Sequence, residues 1–544
     1  MPYLNGAQAT IATLRAYHVD TIFGIPGAHT LPLYDALSQE PGLHHILARH
    51  EQGAGFMADG YARATGHVGV VCTITGPGVT NVATPVANAY ADSVPLLLIS
   101  SSLPRASQRR ALGELHEVKD QLGTMASLSG WSRCVTGVEE IPDALHEAFR
   151  VLQSGRPRAA YLQIPYDLFE SHADVQILPM RTSGPIPPSQ ASLAAAERLL
   201  RHAQRPLIIA GNGVTAAGAH QQLARLAQRL QAPVLLGSKS HDVLPSDHPL
   251  TLTSTGYDLI PELLSLVSAS DVVLVVGSKL GAERTGAGRL PLSSTLIHID
   301  IEPDEIGRAY PATVAMVADA SLALERLLEG VHDLPQDRPT RAAEVAAVRA
   351  ALRQYTRHAL GDAVLLLDAI REAVPHEGVI VADMTMLGYA SARYLPVYQP
   401  RTFIHPVEFC AIGCALPMAL GARIGRPDRP VIALCGDGGF LLNVAELATA
   451  VQEQIHIVII VFNDQAYTAV KKVQHQRFSA RYIATDLAGP DYVALAHAFG
   501  IKGMRVDDPD HLHTAVSEAV QHQGTTLIEV PLPPWHWYQQ ASLP

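Results

Sequence analysis

The sequence predicts an α/β protein of three consecutive domains, each a doubly wound parallel β-sheet with helices on both faces. Short runs rich in valine, isoleucine and leucine alternate with helical patterns, which is the order expected for parallel sheets. Two stretches with little regular pattern, residues 179–188 and 333–339, divide the chain into three blocks. The length of 544 residues is enough for three or four domains that each bury a core.

The first two blocks contain apolar runs with the length and the branched side chains of buried strands. In the first block, residues 1–178, and the middle block, residues 189–332, these runs are residues 69–74, 96–100, 206–214, 271–277 and 295–301. Gly211-Asn212-Gly213 lies within the first run of the middle block and lacks the third glycine of a dinucleotide-binding loop. We therefore interpret it as a structural turn.

The third block, residues 355–535, has two strand runs that end in polar residues. The run at 431–434 leads into Gly436-Asp437-Gly438-Gly439, and the run at 455–462 ends at Asn463-Asp464. Since the carboxyl ends of parallel strands meet at one edge of a sheet, both segments converge there. Glycines let a backbone approach phosphate oxygens, helix N-termini favour anions, and Mg²⁺ takes oxygen ligands. The sequence therefore predicts a site for a Mg²⁺–diphosphate group.

Composition excludes several classes of function. The chain is 48% hydrophobic and 17% charged, which is typical of a globular protein. With a formal net charge of −11 and no basic stripe, it is not expected to bind nucleic acid. No apolar run reaches the length of a membrane span, and the N-terminus lacks the pattern of a signal peptide. We expect a cytoplasmic protein without a membrane partner.

Two segments of the first block resemble a known family. Residues 49–63 and residues 75–81 are similar to the pyrimidine-binding half of the acetolactate synthase-like thiamine diphosphate enzymes. The order of Asp437 and Asn463-Asp464 resembles the family's GDG motif followed by Asn-Asn, with Asp464 in place of the second asparagine. The resemblance covers essentially the whole chain. It implies a pyrimidine-binding, a middle and a diphosphate-binding domain, in this order.

The resemblance also implies a role for each residue of the cofactor site. Glu51 would lie beside the pyrimidine ring of thiamine diphosphate and share a proton with it, which activates the cofactor. Ile412 would support the bent cofactor, and the carbonyl of Cys410 would meet its 4′-amino group. The residues expected at the diphosphate are Thr385, Gly438 and Gly439, and those at Mg²⁺ are Asp437, Asp464 and the backbone carbonyl of Ala466.

The middle block departs from the acetolactate synthases in one motif. Those enzymes hold FAD in their middle domain and carry an Arg-Phe-Asp-Asp-Arg run there. The corresponding segment of this chain reads Gly277-Ser278-Lys279-Leu280-Gly281-Ala282-Glu283-Arg284. This difference counts against FAD as a cofactor.

Residues expected near the substrate favour decarboxylation over carboligation. After CO₂ leaves a 2-oxo acid, the remaining carbon skeleton is either released as an aldehyde or joined to a second carbonyl compound as an acyloin. Residues of the acetolactate synthase acceptor site are replaced here by His116, Met125, Ser129 and Val473, and Val470 stands where pyruvate decarboxylases carry an acid. We predict a thiamine diphosphate-dependent, non-oxidative 2-oxo acid decarboxylase, with an acetolactate synthase-like carboligase as the alternative.

Motifs of the first block resemble those of the 5-guanidino-2-oxopentanoate (2-ketoarginine) decarboxylases, which makes this acid the first candidate substrate. The motifs are residues 23–27, His29-Thr30, 49–63, 74–84, 89–93, Leu115-His116-Glu117 and Asp120-Gln121. A guanidinium tail would pair with a carboxylate. The carboxylates available nearby in the sequence are Glu114, Glu117, Asp120 and Glu408. The sequence alone does not choose among them.

His29 and His116 are candidate catalytic residues beside Glu51. An imidazole titrates near neutral pH, so either could transfer a proton or hold the substrate carboxylate, while a structural role is equally open for both. A non-catalytic paralogue would be expected to lack Glu51 or Asp437, and both are present. Since these two residues lie in different blocks, the resemblance implies a site shared by two subunits, and therefore a homodimer or homotetramer.

Overall fold

A computed structural model describes residues 2–180, 184–256, 258–335 and 338–533. Three sheets of six strands follow one another along the chain, and every pair of neighbouring strands within them is parallel. The fold class predicted from the sequence is therefore confirmed. The predicted end of the third domain, residue 535, lies outside the described residues. Across the described part of the chain, every helix is too short or too polar to cross a lipid bilayer.

The first domain is built on the sheet that contains the two strands predicted for it. Its strands are β1 (Tyr3–Asn5), β2 (Thr21–Gly24), β3 (His44–Leu47), β4 (Gly69–Thr73), β5 (Leu96–Ser102), β6 (Trp131–Cys134), β7 (Ala160–Pro165) and β8 (His172–Asp174). Its helices are α1 (Gly6–Ala16), α2 (Leu31–Ser38), α3 (Glu51–Thr65), α4 (Pro77–Asp92), α5 (Gln121–Ala126), α6 (Ile141–Gln153) and α7 (Tyr166–Glu170). The sheet order is β3-β2-β4-β5-β7-β6, and β1 pairs with β8 in a separate antiparallel ribbon.

The middle domain repeats the arrangement, with the sheet order β11-β10-β9-β12-β13-β14. Its strands are β9 (Pro206–Ala210), β10 (Val234–Leu236), β11 (Thr251–Thr253), β12 (Val272–Val276), β13 (Leu296–Asp300) and β14 (Val314–Val317). Its helices are α8 (Gln190–His202), α9 (Asn212–Ala216), α10 (His220–Leu230), α11 (Pro261–Ser268), α12 (Ala282–Thr285) and α13 (Ala320–Gly330). The apolar run predicted at 206–214 forms a strand only as far as Ala210, because the chain turns at Gly211 and starts α9.

The third domain has the sheet order β16-β15-β17-β18-β20-β19. Its strands are β15 (Val379–Ala382), β16 (Phe403–Ile404), β17 (Val431–Gly436), β18 (Val458–Asn463), β19 (Lys502–Arg505) and β20 (Thr526–Pro531). The helices after the middle domain are α14 (Ala342–Leu360), α15 (Ala363–Ala373), α16 (Met386–Tyr394), α17 (Ala415–Gly425), α18 (Asp437–Leu442), α19 (Glu446–Gln452), α20 (Thr468–Arg477), α21 (Tyr492–Ala498) and α22 (Leu512–Gln521). The predicted runs at 431–434 and 455–462 correspond to β17 and β18, although β18 begins only at Val458.

Each sheet has one pair of neighbouring strands whose crossover connections leave in opposite directions. These pairs are β2 and β4, β9 and β12, and β15 and β17. In open parallel sheets, ligands bind in the crevice outside the carboxyl ends of such a pair. The third crevice is bordered by the predicted diphosphate turn, which follows β17. Topology alone therefore gives every domain a potential binding edge.

Helix α14 connects the middle and third domains. Val345 and Leu352 pack in the core of the middle domain, whereas Ala359 and Leu360 pack in a core of the third. Residue 355, the predicted start of the third domain, therefore lies inside a helix that belongs to both cores. The domain boundaries stay a prediction.

The first and third domains of one chain pack together through α3 and α17. Phe56 and Met57 of α3 and Met418 of α17 are fully buried in one shared apolar core. A β-carbon on Gly421 would lie 1.8 Å from the carbonyl oxygen of Met57, so only glycine allows this close approach. The contact fixes the helix that begins at Glu51 against the third domain.

Candidate active site

Asp437 is the first residue of α18 and is 3% exposed. One carboxylate oxygen accepts a hydrogen bond from the backbone N–H of Gly438 at 2.8 Å. The other, Oδ2, is buried and has no hydrogen-bond partner within the described residues. Burial raises the pKa of Asp437. A buried carboxylate oxygen without a partner is costly, so its presence indicates a position for a ligand.

Asp464 lies in the same crevice, directly after β18, and is 9% exposed. Its carboxylate accepts a hydrogen bond from the hydroxyl of Thr468 at 2.7 Å. Burial raises the pKa of Asp464 to about 7, and the charge of Asp437 adds to this rise against the effect of the Thr468 hydrogen bond. Ala466, two residues further on, is also buried. Two close carboxylates, one with an unpartnered oxygen, suit a divalent cation with oxygen ligands.

The glycines at the start of α18 are closely packed against their neighbours. A β-carbon on Gly438 would lie 2.5 Å from the ring of Tyr467. On Gly439 it would lie 3.4 Å from the side chain of Ile412, and on Gly436 it would lie 3.1 Å from the hydroxyl oxygen of Thr385. The structure thus brings Thr385 and Ile412 close to Gly436 and Gly439, and their roles toward a cofactor stay a prediction.

Asp383 is a residue of this site that the sequence analysis missed. It is 1% exposed and follows β15 directly, and its Oδ1 accepts hydrogen bonds from the backbone N–H groups of Met384 at 2.7 Å and Gly413 at 2.9 Å. A β-carbon on Gly439 would lie 3.2 Å from its Oδ2. Burial raises the pKa of Asp383. Its position at the end of a buried strand was the signal that could have identified it.

The loop between β16 and α17 carries Cys410 and Ile412. Cys410 has a positive φ of 53°, and its thiol donates to the carbonyl of Val407 at 2.6 Å. Ile412 is 36% exposed, which is high for an isoleucine beside a buried turn. Asn443, just after α18, donates to the carbonyl of Gly413 at 2.7 Å. The loop is therefore held from both sides, by Asp383 and by Asn443.

Glu51 begins α3 in the first domain and is 9% exposed. Its Oε2 accepts a hydrogen bond from the side-chain amide of Asn81 at 2.9 Å. A β-carbon on Gly78 would lie 3.4 Å from its Oε1, so the turn after β4 packs against the carboxylate. Asn81 belongs to the motif at residues 75–81, but its contact with Glu51 was not predicted.

His29 and His116 meet beside the same turn. Their ring centroids are 5.6 Å apart in an edge-to-face arrangement, and His29 also stacks on Tyr166 at 4.6 Å. A β-carbon on Gly76 would lie 2.5 Å from the carbonyl oxygen of His116. Burial lowers the pKa of His29, and the nearby His116 lowers it further. The negative charge of Glu114 acts in the opposite direction and raises it. Nδ1 of His29 is buried and has no hydrogen-bond partner within the described residues.

The side chain of Gln121 holds this turn by a hydrogen bond to its backbone, which was not predicted. It is 7% exposed, and its side-chain oxygen accepts from the N–H of Gly76 at 2.9 Å. Its amide nitrogen donates to the carbonyl of Ser101, also at 2.9 Å. Gly76 has a positive φ of 70°, a conformation that glycine adopts without strain.

The predicted residues thus form two groups on different domains. Glu51, His29 and His116 surround the turn after β4, while the remaining ones surround the turn after β17. Within the described part of one chain, no hydrogen bond joins a member of one group to a member of the other. The first-domain segment instead meets Glu446, a buried carboxylate that accepts from the N–H groups of Arg49 and His50 at 3.1 Å each.

The middle domain carries a separate cleft of about 1210 Å³ at the carboxyl ends of β9 and β12. Gly211, Gly277 and Lys279 are among its lining residues. Lys239 and Lys279 both form ion pairs with Glu408 of the third domain at its edge. The turn at Gly211 is a close strand–helix contact, because a β-carbon there would lie 2.1 Å from the carbonyl oxygen of Gly277.

Comparison with protein families matches all three domains. Residues 4–124 match the N-terminal TPP binding domain of thiamine pyrophosphate enzymes, residues 193–327 the central domain, and residues 383–530 the C-terminal TPP binding domain. Thiamine pyrophosphate (TPP) is another name for thiamine diphosphate. The matched segments contain the crevices described above.

Individual relatives extend over nearly the whole chain. A protein of Pseudomonas aeruginosa named as a probable 2-ketoarginine decarboxylase is 39% identical, and the match covers 97% of this chain and 94% of the relative. A probable acetolactate synthase large subunit of Methanocaldococcus jannaschii is 31% identical, with 98% and 92% covered. The large subunit of acetolactate synthase isozyme 2 of Escherichia coli is also 31% identical, with 97% and 95% covered. With all three domains and full-length relatives matched, the chain belongs to the thiamine pyrophosphate enzyme family.

Proposed function

We propose that this enzyme catalyses the non-oxidative decarboxylation of a 2-oxo acid to an aldehyde and CO₂, with 5-guanidino-2-oxopentanoate as the first candidate substrate. The observation that carries the proposal is the 39% identity, over 97% of the chain, to a relative named as a probable 2-ketoarginine decarboxylase. The replaced acceptor-site residues, among them Ser129 and Val473, support decarboxylation as the outcome.

The third domain would hold the diphosphate of the cofactor. Asp437, Asp464 and the carbonyl of Ala466 are the proposed Mg²⁺ ligands, which fits the unpartnered oxygen of Asp437 and the raised pKa of Asp464. Thr385 and the N–H group of Gly439 would donate to phosphate oxygens at the N-terminus of α18, and Gly438 would let the backbone approach them. When bound, thiamine diphosphate supplies a nucleophilic carbon and accepts the electrons released as CO₂ leaves.

The first domain would supply the groups that transfer protons. We assign Glu51 the exchange of a proton with the pyrimidine ring, while the hydrogen bond from Asn81 holds its carboxylate in one orientation. His29 and His116 would face the substrate, where each can hold its carboxylate or transfer a proton. Because burial lowers the pKa of His29, its imidazole is neutral near pH 7 and can accept a proton.

The proposal implies an assembly of at least two chains. Glu51 and Asp437 lie on different domains, and in one chain the segment before Glu51 contacts Glu446. We propose that the first domain of one subunit completes the third-domain site of another, in a homodimer or homotetramer. The enzyme would act in the cytoplasm.

FAD has no part in the proposed reaction. Non-oxidative decarboxylation involves no net oxidation, so a flavin is not required by the chemistry. The segment at residues 277–284 also differs from the run that acetolactate synthases carry in their middle domain.

A carboligase is the second candidate, because two relatives at 31% identity are named as acetolactate synthase large subunits. Product analysis separates the two activities. Purified protein loaded with thiamine diphosphate and Mg²⁺ is given 5-guanidino-2-oxopentanoate, pyruvate or a branched 2-oxo acid, and CO₂ and organic products are measured. Equal amounts of aldehyde and CO₂, with the guanidino acid preferred, support the decarboxylase. Preference for pyruvate with acetolactate as the product would replace it with the carboligase.

A further inference from the structure

The proposed substrate ends in a guanidinium group, which must find an acceptor when it leaves water. An unpaired cation in a protein cleft is costly, while a carboxylate gives two parallel, charge-assisted hydrogen bonds. Four carboxylates near the site in sequence could serve, and the inference that follows rests on the proposed function. Their contacts in the structure distinguish them.

Two of the four are already used by the backbone of their own loop. Glu117 accepts from the N–H groups of Gly113 at 2.6 Å and Glu114 at 3.2 Å, so its carboxylate holds the turn closed. Asp120 caps the N-terminus of α5, where it accepts from the N–H of Gly123 at 2.8 Å. Moving either carboxylate to a ligand would leave N–H groups of the loop without their acceptor.

The third carboxylate is neutralised by two cations. Glu408 forms ion pairs with Lys239 and Lys279 at the edge of the middle-domain cleft. A guanidinium group there would have to displace a lysine and would meet the positive charge of the other. Glu408 is therefore a poor acceptor for a cationic substrate.

Glu114 alone of the four keeps its carboxylate available. Within the described residues, that carboxylate makes no hydrogen bond or ion pair, although its backbone N–H is held by Glu117. The side chain is half-buried. Glu114 lies two residues before His116, whose carbonyl packs on the Gly76 turn, and that turn continues to Gly78 beside Glu51.

The loop thus places the carboxylate of Glu114, which makes no hydrogen bond within the described residues, near His29, whose ring lies against that of His116. The neighbourhood contains an imidazole pair that could take the carboxylate end of a substrate. It also contains the carboxylate of Glu114, which could take a positive end. A 2-oxo acid with a cationic tail has those two ends.

We propose that Glu114 is the specificity residue that binds the guanidinium tail of the substrate. It would select 2-oxo acids that end in a cation over neutral acids of the same length. Glu117 supports it indirectly, because it fixes the backbone of the loop at Glu114.

The test compares two substrates of equal length and shape. 5-Guanidino-2-oxopentanoate carries the cation, and 5-ureido-2-oxopentanoate replaces it by a neutral urea group. Glu114→Gln should lower kcat/KM for the guanidino acid at least about tenfold and change kcat/KM for the ureido acid by less than about threefold. The matched control is Glu117→Gln, which removes the same charge from the same loop while its amide oxygen can still accept both N–H groups. It should keep the preference for the guanidino acid.

Each result decides between the alternatives. An equal loss on both acids, or no loss on the guanidino acid, would overturn the role of Glu114 while leaving the decarboxylase intact. The same loss of preference in Glu117→Gln would assign selectivity to the charge of the loop and not to Glu114. If the wild-type enzyme releases CO₂ from neither acid but converts pyruvate to acetolactate, the proposed function itself fails. Melting temperatures of both variants with bound cofactor report whether the loop still folds.

Discussion

The carboxylate of Glu51 accepts a hydrogen bond from the side-chain amide of Asn81 at 2.9 Å. This contact holds the first residue of α3 against the turn after β4 and leaves the second carboxylate oxygen, Oε1, beside Gly78. The proton chemistry assigned to Glu51 depends on a carboxylate kept in one orientation.

Glu51→Gln should therefore retain the cofactor and lose turnover. The amide has nearly the same shape but cannot exchange the proton, and contributions of general acids and bases are on the order of 10² to 10⁴ in rate. We expect kcat to fall at least about a hundredfold, measured by CO₂ release. The rise in melting temperature on adding thiamine diphosphate and Mg²⁺ should persist in this variant. A variant with wild-type kcat would remove Glu51 from the mechanism.

Thiamine diphosphate and Mg²⁺ together should stabilise the wild-type protein. A ligand that binds only the folded state adds about 2.7 kcal/mol at a concentration of 100 Kd, which appears as a higher Tm. Asp437→Ala should abolish this increase, because the variant lacks the buried oxygen at the proposed metal position. Asp428→Asn, on the exposed surface of the same domain, is the control and should behave as wild type. An unchanged response in Asp437→Ala would contradict the metal assignment.

Two inactive variants should restore activity when mixed. If the Glu51 group of one subunit serves the Asp437 group of another, a heterodimer of Glu51→Gln with Asp437→Ala contains one site with both residues intact. Subunit exchange should recover up to roughly a quarter of wild-type activity, the share of intact sites after random pairing of dimers. Each variant mixed with itself is the control. A fully active monomer on size-exclusion chromatography would exclude the shared site.

Asp383→Asn should weaken cofactor binding, although Asp383 is not itself a proposed ligand of the cofactor. The amide oxygen of the asparagine can keep the hydrogen bonds that Oδ1 accepts, but its N–H₂ group replaces Oδ2, which accepts from the backbone N–H of Ala415 at 3.4 Å, and an unsatisfied buried donor costs about 1–3 kcal/mol. The Ile412 loop should then be held less firmly. We expect a higher concentration of thiamine diphosphate for half-maximal activity, with the exposed Asp362→Asn unchanged. Equal affinity in both variants would limit Asp383 to a role in folding.

Acid should destabilise the protein through His45. Burial lowers the pKa of His45 to about 4, so the unfolded chain binds a proton more readily than the folded one. The contribution is fully present above the unfolded pKa of about 6.5 and is lost as the pH falls toward 4. The stability lost by pH 5 amounts to about 2 kcal/mol. His45→Gln should therefore lose less melting temperature than wild type between about pH 7.5 and pH 5.

The neighbouring residue on β3 provides a matched control. His44 is exposed, so His44→Gln should show the same pH response as the wild-type protein. If His45→Gln and His44→Gln responded alike, the acid sensitivity would come from other groups.

The sequence was most informative where a residue type is required by chemistry or by backbone geometry. The turn at Gly438 and Gly439 and the strands around it were predicted, because few other residues permit such a close approach of the backbone. The contacts of Asn81, Asp383 and Gln121 were not predicted, because each depends on a partner distant in sequence and on the strand order. For the same reason the sequence left four carboxylates equivalent, and only their hydrogen bonds separated Glu114 from Glu117.

Strand lengths were less well predicted than strand positions. The apolar run at 455–462 continues through a loop before β18 begins at Val458, since buried loops can be as hydrophobic as buried strands. The strand predicted at 206–214 extends too far at its C-terminal end. The chain turns at Gly211, because this residue packs closely against Gly277. Such boundaries are set by tertiary packing.

Helix α14 has a mechanical consequence for the molecule. Because its first turns, around Val345, are anchored in the middle domain and its last, around Leu360, in the third, the connection is a rigid rod and not a hinge. Bending between these domains would expose apolar surface on one side or the other. Heating should therefore melt the two domains as one cooperative unit. A fragment that starts at residue 355 would lack the first part of α14 and would be poorly soluble.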